Sequence, residues 1–513
     1  MTDQAVELRA IDWQRTFPFV RLFRPMLSIA HVARIVPALL CVLACYLVGR
    51  SLDGIWTAAS AGVVETAPAS RATTGGLANE IEAYAALPAA EFHAWKHAAR
   101  PDGGKPAAAA GPFITLLDYE MRCFAAAIQG VCAGRLGFSS DGRPAMLGAV
   151  TDALKGALWL VTQRPWYALI YGLLHVLIFG FAGAAIARHA VVHSARDENI
   201  RLGGALRFAQ EKWLQTALTP LILVAAILAL GVLLIVFSWI VGLLTLIPAV
   251  GLVGYVIGGL IYGLALLVGV ALVAAAVGLV GGLHLMTPTI AAESSDAMDA
   301  LSRSVNYVFS RPFHVLFYGV AGLAYGAVCF VVVRLGALLL LKLTHTFTKI
   351  GMSSFGWWHN VNATESLTTD RLSAMWRMPS WNELPLLPAT GGTPFWGTFA
   401  NAPLSSGETA GMWLIAAWVF LVVGLVGAFV VSFYFSTSTE IYLLLRRHID
   451  ATDYEDVFYE PTGDDPYADV ESAAGGSGAS PGDAASGSGG SAGDKPANGT
   501  SLPVMNPPGG GGK

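Results

Sequence analysis

Charge is what this chain has least of. Between Trp213 and Ala292 there is no Asp, Glu, Lys or Arg, a run of 80 residues in which His284 is the one side chain that titrates near neutral pH. A water-soluble domain needs charged residues on its outer faces and cannot run that long without them. Charged residues make up 13% of the 513 positions, against roughly 25% in soluble domains, and mean hydropathy is +0.57. The net charge of −4 and the lack of a basic stripe exclude a nucleic-acid partner. There are five cysteines and no CxxC pair, which argues against a zinc or iron–sulfur site. A phosphate-binding Gly-rich loop ending in Lys-Ser/Thr and an HExxH pair are also missing. The GxSxG match at Gly489–Gly493 lies in low-complexity sequence and is a chance pattern.

What is present is apolar length. A membrane-crossing helix needs about 20 apolar residues, and six spans fit an all-α, polytopic transmembrane bundle: 33–48, 166–186, two within 218–283, 314–333 and 411–435. The uncharged block divides at Leu246–Gly251, where proline and glycine mark a turn. Four clusters of basic residues set the sides: Arg9 to Arg34, Arg188 to Lys212, Arg303 with Arg311, and Arg446 with Arg447. All fall on one side if the uncharged block holds two spans, which places both termini in the cytoplasm of an inner membrane. Arg334 and Lys342 run against this rule and are expected to snorkel to the interface. More than thirty residues precede the first apolar run, too many for a signal-peptide n-region, so that run is read as an uncleaved span.

The remaining segments are 1–32, a cytoplasmic amphipathic N-terminus; 51–164, extracytoplasmic and partly helical; 187–217, a cytoplasmic amphipathic connector; 293–312, a cytoplasmic amphipathic helix; 343–407, an extracytoplasmic Trp/Pro-rich loop; and 436–471, an acidic cytoplasmic segment. Within 51–164, Ile114–Val131 and Met146–Val161 read as amphipathic helices. Trp357, Trp358, Trp376, Trp381 and Trp396 of the outer loop fit an interfacial aromatic belt. Residues 472–513 are mostly Gly, Ser, Ala, Pro and Asp, a composition that cannot offset ordering entropy, so a disordered tail is expected. Cys123 and Cys132 fall in the outer segment, where a disulfide is open to them. Nine residues of unbroken helix separate their Cα atoms by about 13.5 Å, whereas a disulfide needs about 7 Å or less. The bond therefore requires a break, for which Gly130 is the place. The alternative is two separate cysteines packed as small apolar residues.

Three cytoplasmic segments share a character. Thr16–Arg24, Leu202–Trp213 and Asp296–Phe309 are each amphipathic, carry arginine and lead into a span. They suggest an interfacial helix plus a transmembrane hairpin, used three times; the alternative is that any connector at a membrane surface becomes amphipathic. Ser294 or Ser295 is the expected N-cap of the third, and Pro312 its end. Glu293, Asp296, Ala300-Leu301-Ser302-Arg303-Ser304 and Tyr307-Val308, after a glycine-rich apolar block, resemble uncharacterised bacterial polytopic membrane proteins similar to the membrane domain attached to some glycerophosphodiester phosphodiesterases. The likeness covers about residues 200–340. It implies a fold type and no activity, because the soluble catalytic barrel has no counterpart in this chain.

Few residues are candidates for chemistry. His175 lies deep in the second span and reads as a packed or hydrogen-bonded histidine; His284 and Arg334 lie near span ends. His189, His193 and Asp197 share the i, i+4, i+8 spacing of metal ligands, but Arg188 and Arg196 beside them disfavour a cation, so no metal is expected. Gly254, Gly258, Gly259 and Gly263 form small-xxx-small registers for helix packing, extended by Gly278, Gly281 and Gly282. The expected function is that of a non-enzymatic multi-pass inner-membrane protein with an envelope, lipid-organising or accessory role. The alternative is a permease or channel for an uncharged or lipid-like solute. No cofactor is expected. The partners are the lipid bilayer and other membrane proteins or a second copy.

Overall fold

The computed structural model describes residues 18–23, 29–59, 80–92, 111–138, 143–245, 251–353, 372, 375, 376, 378, 381 and 406–458. A 3₁₀ turn, Pro18–Phe23, precedes ten helices: α1 Val32–Ala59, α2 Glu80–Ala86, α3 Pro112–Cys132, α4 Met146–Gln163, α5 Pro165–Arg196, α6 Leu202–Thr245, α7 Gly251–Glu293, α8 Ala297–Ser310, α9 Pro312–Ser353 and α10 Ser406–Asp450. No β-strand occurs among the described residues. Six helices, α1, α5, α6, α7, α9 and α10, are long and apolar enough to cross a membrane. They are the six expected spans, and they make the chain a multi-pass membrane protein.

Most spans are longer than a bilayer requires. α6 and α10 have 44 and 45 residues, roughly 66 Å at 1.5 Å per residue, against about 30 Å of hydrocarbon. Part of the surplus in α6 and α10 is charged helix beyond the apolar stretch, but the charge-free part of α6 alone, 213–245, is about 50 Å long and must tilt or protrude. The connector expected at 187–217 is the last two turns of α5 and the first turns of α6, joined through Asp197 in the left-handed conformation. A carboxylate-bearing residue tolerates that backbone better than a branched one. The expected threefold repeat is thus built in three different ways: a 3₁₀ turn, a continuous span and a separate helix, α8. Asp296, rather than Ser294 or Ser295, stands at the α8 N-cap, and Pro312 begins α9 instead of merely ending α8.

The core at one end of the bundle is apolar and made by every element that meets there. Ala184, Ala187 and Val191 of α5, Ala205 and Ala209 of α6, Ile290 and Ala291 of α7, Ala300 and Tyr307 of α8, and Tyr442 to Leu445 of α10 are buried together. Small residues let these helices approach closely. Gly183 stands where a Cβ would lie 2.5 Å from the Phe435 ring, and Gly281 where it would lie 2.9 Å from Val308. A second core joins α2, α3 and α4 to α1 and α5, with Trp159 and Tyr167 wholly buried beside Phe113 and Ile81. Between these cores the spans show apolar side chains outward, among them Leu228, Trp239, Leu260 and Leu316, as a surface solvated by lipid tails would.

The described helices of the segment at 51–164 are attached to the bundle. The Asp53 carboxylate of α1 accepts the Phe113 N–H at 2.8 Å and the Ile114 N–H at 3.2 Å, while the Tyr167 hydroxyl donates to it at 3.2 Å. A buried carboxylate on the free N–H groups of a helix start satisfies donors that have no intrahelical partner and meets the positive end of the dipole. α3 then runs along the spans until Phe124 meets Phe330 of α9 edge-on at 5.2 Å. α4 returns antiparallel.

Candidate functional site

Buried polar side chains converge where the span ends meet. Arg34, 2% exposed at the start of α1, donates from Nε to His189 Nδ1 at 2.9 Å and from Nη1 to the Ser436 hydroxyl at 3.3 Å. One guanidinium thereby links α1, α5 and α10. Arg21 of the 3₁₀ turn donates to the Ser194 carbonyl at 2.9 Å, lies 3.7 Å from Glu440 and packs on the Tyr454 ring. Ser194 in turn donates to Glu440 at 2.6 Å. Arg188 donates to the carbonyls of Ala291 and Phe458 at 3.0 and 2.8 Å, and the Phe458 N–H donates to the Ala292 carbonyl. The chain after α10 is in this way folded back across the end of α7.

A second group forms around Glu293. Its carboxylate is 2.7 Å from Arg303 of α8 and 3.2 Å from Arg446 of α10, and it accepts the Tyr442 hydroxyl at 2.7 Å. Tyr307 of α8 donates to Asp450 at the end of α10. Burial, first, and the Asp450 carboxylate push the Tyr307 phenol well above its ordinary value, so it stays a donor. Lys212 caps the end of α7 through the Ser294 carbonyl at 2.7 Å, a cation at the negative end of a helix dipole. Arg21, Arg34, Arg188, Lys212, Arg303 and Arg446, drawn from all four basic clusters, therefore lie at one end of the bundle. Their buried members are tied to carboxylates, hydroxyls and carbonyls, the condition under which a buried charge is tolerated.

The sequence-derived candidates fall into this frame unevenly. His189 and His193 lie on one face with ring centroids 6.3 Å apart, and His31 packs on His189 at 4.6 Å. Asp197 is not brought in; it terminates α5. His189 spends Nδ1 on Arg34, and no group of three His, Cys, Asp or Glu is placed to hold a metal ion among the described residues. The weak metal candidate His189, His193, Asp197 is thus not assembled: its first member, His189, is held by a guanidinium. Gly258 is a packing glycine, its absent Cβ 2.7 Å from Val241 of α6, and Gly254 is buried. Gly259 and Gly263 have open space around them. Gly278, Gly281 and Gly282 receive Val305, Val308 and Ser304 of α8.

Cys123 and Cys132 are both free, Cys123 buried and Cys132 exposed. The possible disulfide is corrected: α3 continues unbroken through both residues. Gly130 does not break it. A Cβ there would stand 2.6 Å from the Met146 amide, so glycine serves the close return of the chain into α4. Burial pushes the Cys123 thiol up to about 11, which keeps it a packed, protonated side chain. Arg334 is 7% exposed, donates to the Trp381 carbonyl and stacks 4.2 Å from that ring. Trp376 is buried against Leu341, Leu372, Val419 and Val423. The two described tryptophans of the outer loop therefore pack against the spans instead of forming an interfacial belt. Trp357, Trp358, Trp396, Gly489–Gly493 and the tail at 472–513 lie outside the described residues.

Two cavities open between the spans. One, of about 480 Å³, lies among α7, α9 and α10, with Gly319, Gly322, Leu323 and Phe433 on its walls and His284, Tyr434, Thr437 and Ser438 as its polar groups. The other, of about 240 Å³, is bounded by Cys45, Tyr46, Tyr171, His175, Phe179 and Val426. Phe124, Phe330 and Val430 line both, so they are neighbours. His175 is stacked 4.4 Å from Phe179 and faces the smaller cavity. Tyr255 and Tyr262 border a separate groove of about 750 Å³ between α6 and α7. Sequence reasoning singled out His175 and His284 but not the two neighbouring cavities they border, because the walls of each come from helices far apart in the chain. Comparison with protein-family models, curated proteins and solved structures finds no match to this chain.

Proposed function

We propose that this chain is a non-enzymatic multi-pass protein of the inner membrane with a lipid-organising role, both termini in the cytoplasm. The observation that carries the reading is the cavity among α7, α9 and α10. Its walls are apolar, and Val280, Leu283 and Leu323 at its margin are exposed, at 79%, 46% and 44%. An apolar space bordered by outward apolar side chains is continuous with the bilayer, where its natural content is lipid. The converging charged groups support the same reading, since their named contacts tie α1, α5, α7, α8 and α10 to one another. They act as fasteners of helix ends.

A second reading is favoured by one observation. The smaller cavity, bordered by His175, adjoins the larger one and shares Phe124, Phe330 and Val430 with it, and a path joining the two would suit a permease for an uncharged or lipid-like solute. Reconstitution in liposomes separates the two. The lipid-organising reading expects a motionally restricted population of spin-labelled lipid and no solute movement above protein-free vesicles. Solute movement at enzyme-like turnover contradicts it and favours the permease.

A further inference from the structure

The larger cavity holds two polar atoms without a hydrogen-bond partner among the described residues. Thr437 is 5% exposed, and its hydroxyl has no hydrogen-bond partner. Nε2 of His284 is likewise buried and unpartnered. Both side chains line the same apolar space, one from α10 and one from α7. A buried hydroxyl costs free energy unless it is hydrogen-bonded. A threonine in a helix ordinarily bonds the carbonyl four residues back, as Thr439 does to Phe435 at 2.8 Å. Thr437 is turned otherwise, with its methyl toward Gly322 of α9, where a Cβ would approach to 2.9 Å.

Position along the chain sets the depth. Thr437 lies two residues before the end of the charge-free run Thr409–Thr439, and Glu440 follows. It therefore sits where hydrocarbon gives way to the polar interface, the level at which the ester linkages of membrane lipids lie. No Lys or Arg lines the cavity, so nothing there selects an anionic headgroup. What the lining offers is room for a hydrocarbon chain and hydrogen-bonding groups for an uncharged acceptor.

We propose that this cavity binds one acyl chain of a glycerolipid, its ester carbonyl accepting hydrogen bonds from the Thr437 hydroxyl and His284 Nε2. This rests on the lipid-organising reading above and names its ligand. Gly319 supplies a probe, because it lines the cavity and has no atom within 4 Å of where its Cβ would stand. Gly319→Leu fills the space without a clash and raises helix propensity. Thr437→Val removes the hydroxyl and keeps the shape.

The test is native mass spectrometry of the full-length protein released from nanodiscs of diacyl phosphatidylcholine, or of its dialkyl-ether analogue. Motionally restricted spin-labelled lipid is measured in parallel. The wild type is expected to retain one diacyl lipid about thirtyfold more than the ether lipid, the weight of two net hydrogen bonds. Thr437→Val is expected to cut that preference to about fivefold, the share left to His284, and Gly319→Leu to lower retention of both lipids. Equal retention of ester and ether lipid by the wild type, or undiminished retention in Gly319→Leu, overturns the assignment. Should Gly319→Leu fail to fold, the Thr437→Val comparison decides alone. A restricted-lipid population that persists without ester preference overturns the cavity assignment and leaves the broader reading standing. Loss of both overturns both.

Discussion

Asp53 shows how much one side chain does in this protein. It sits in the outer turns of α1, 3% exposed, and holds the first two N–H groups that α3 leaves free after Pro112. Replacement by alanine orphans two buried donors. Asp53→Ala is expected to cost about 1–3 kcal/mol of stability in detergent, and Asp53→Asn less, because an amide oxygen still accepts; a denaturant titration measures both. Glu120 is the other telling residue. Its carboxylate lies over Gly156 of α4, and burial pushes it up from an ordinary 4.5 to about 7. The folded state then holds its proton more tightly than the unfolded state does. Its contribution to stability is full below about 4.5 and is lost as pH rises to about 7. Glu120→Gln should flatten that slope in thermal unfolding measured from pH 4.5 to 7.5. Neither role was legible in the sequence, for Asp53 reads there as one charge after a span, and its partners lie sixty residues on.

At the scale of elements, apolar periodicity was a good guide and helix ends were not. The two amphipathic helices read at 114–131 and 146–161 appear as α3 and α4 within two residues at each end. The helices run beyond the apolar stretches that mark the spans, into charged residues. In the folded chain those charges stay helical by finding partners on other helices, as Arg188, Arg446 and Glu440 do. Tertiary pairing of that kind has no local signature. The α3–α4 hairpin bears a direct test. Gly130→Ala places a Cβ against the Met146 backbone, which cannot swing aside as a side chain can. It should destabilise the protein by about 1–3 kcal/mol even though alanine is the better helix former. A gain in stability would show that the return from α3 to α4 is looser than described. Oxidant treatment of the purified protein should leave Cys123 and Cys132 uncoupled, as nine helical residues keep them apart.

On the scale of the whole molecule, the sequence carried the class of the protein and the structure supplied its site. Six apolar stretches were visible from missing charge alone, and six helices answer to them. The common end of the four basic clusters was also readable, because the count of spans between them is even. The cavity was not readable, since its walls belong to α7, α9 and α10 and its polar atoms, in His284 and Thr437, are separated by 153 positions. The proposed lipid organisation depends on this six-span arrangement, for it requires the Thr437 end of the cavity at one interface and the loop at 343–407 at the other. The most direct test is cysteine labelling in intact cells with a membrane-impermeant maleimide. The exposed Cys132 is first replaced by serine, and single cysteines are placed at Ser380 in the outer loop or at Glu198 between α5 and α6. The account expects position 380 to be labelled in intact cells and position 198 only after permeabilisation. Labelling of both from outside, or of 198 alone, would contradict it.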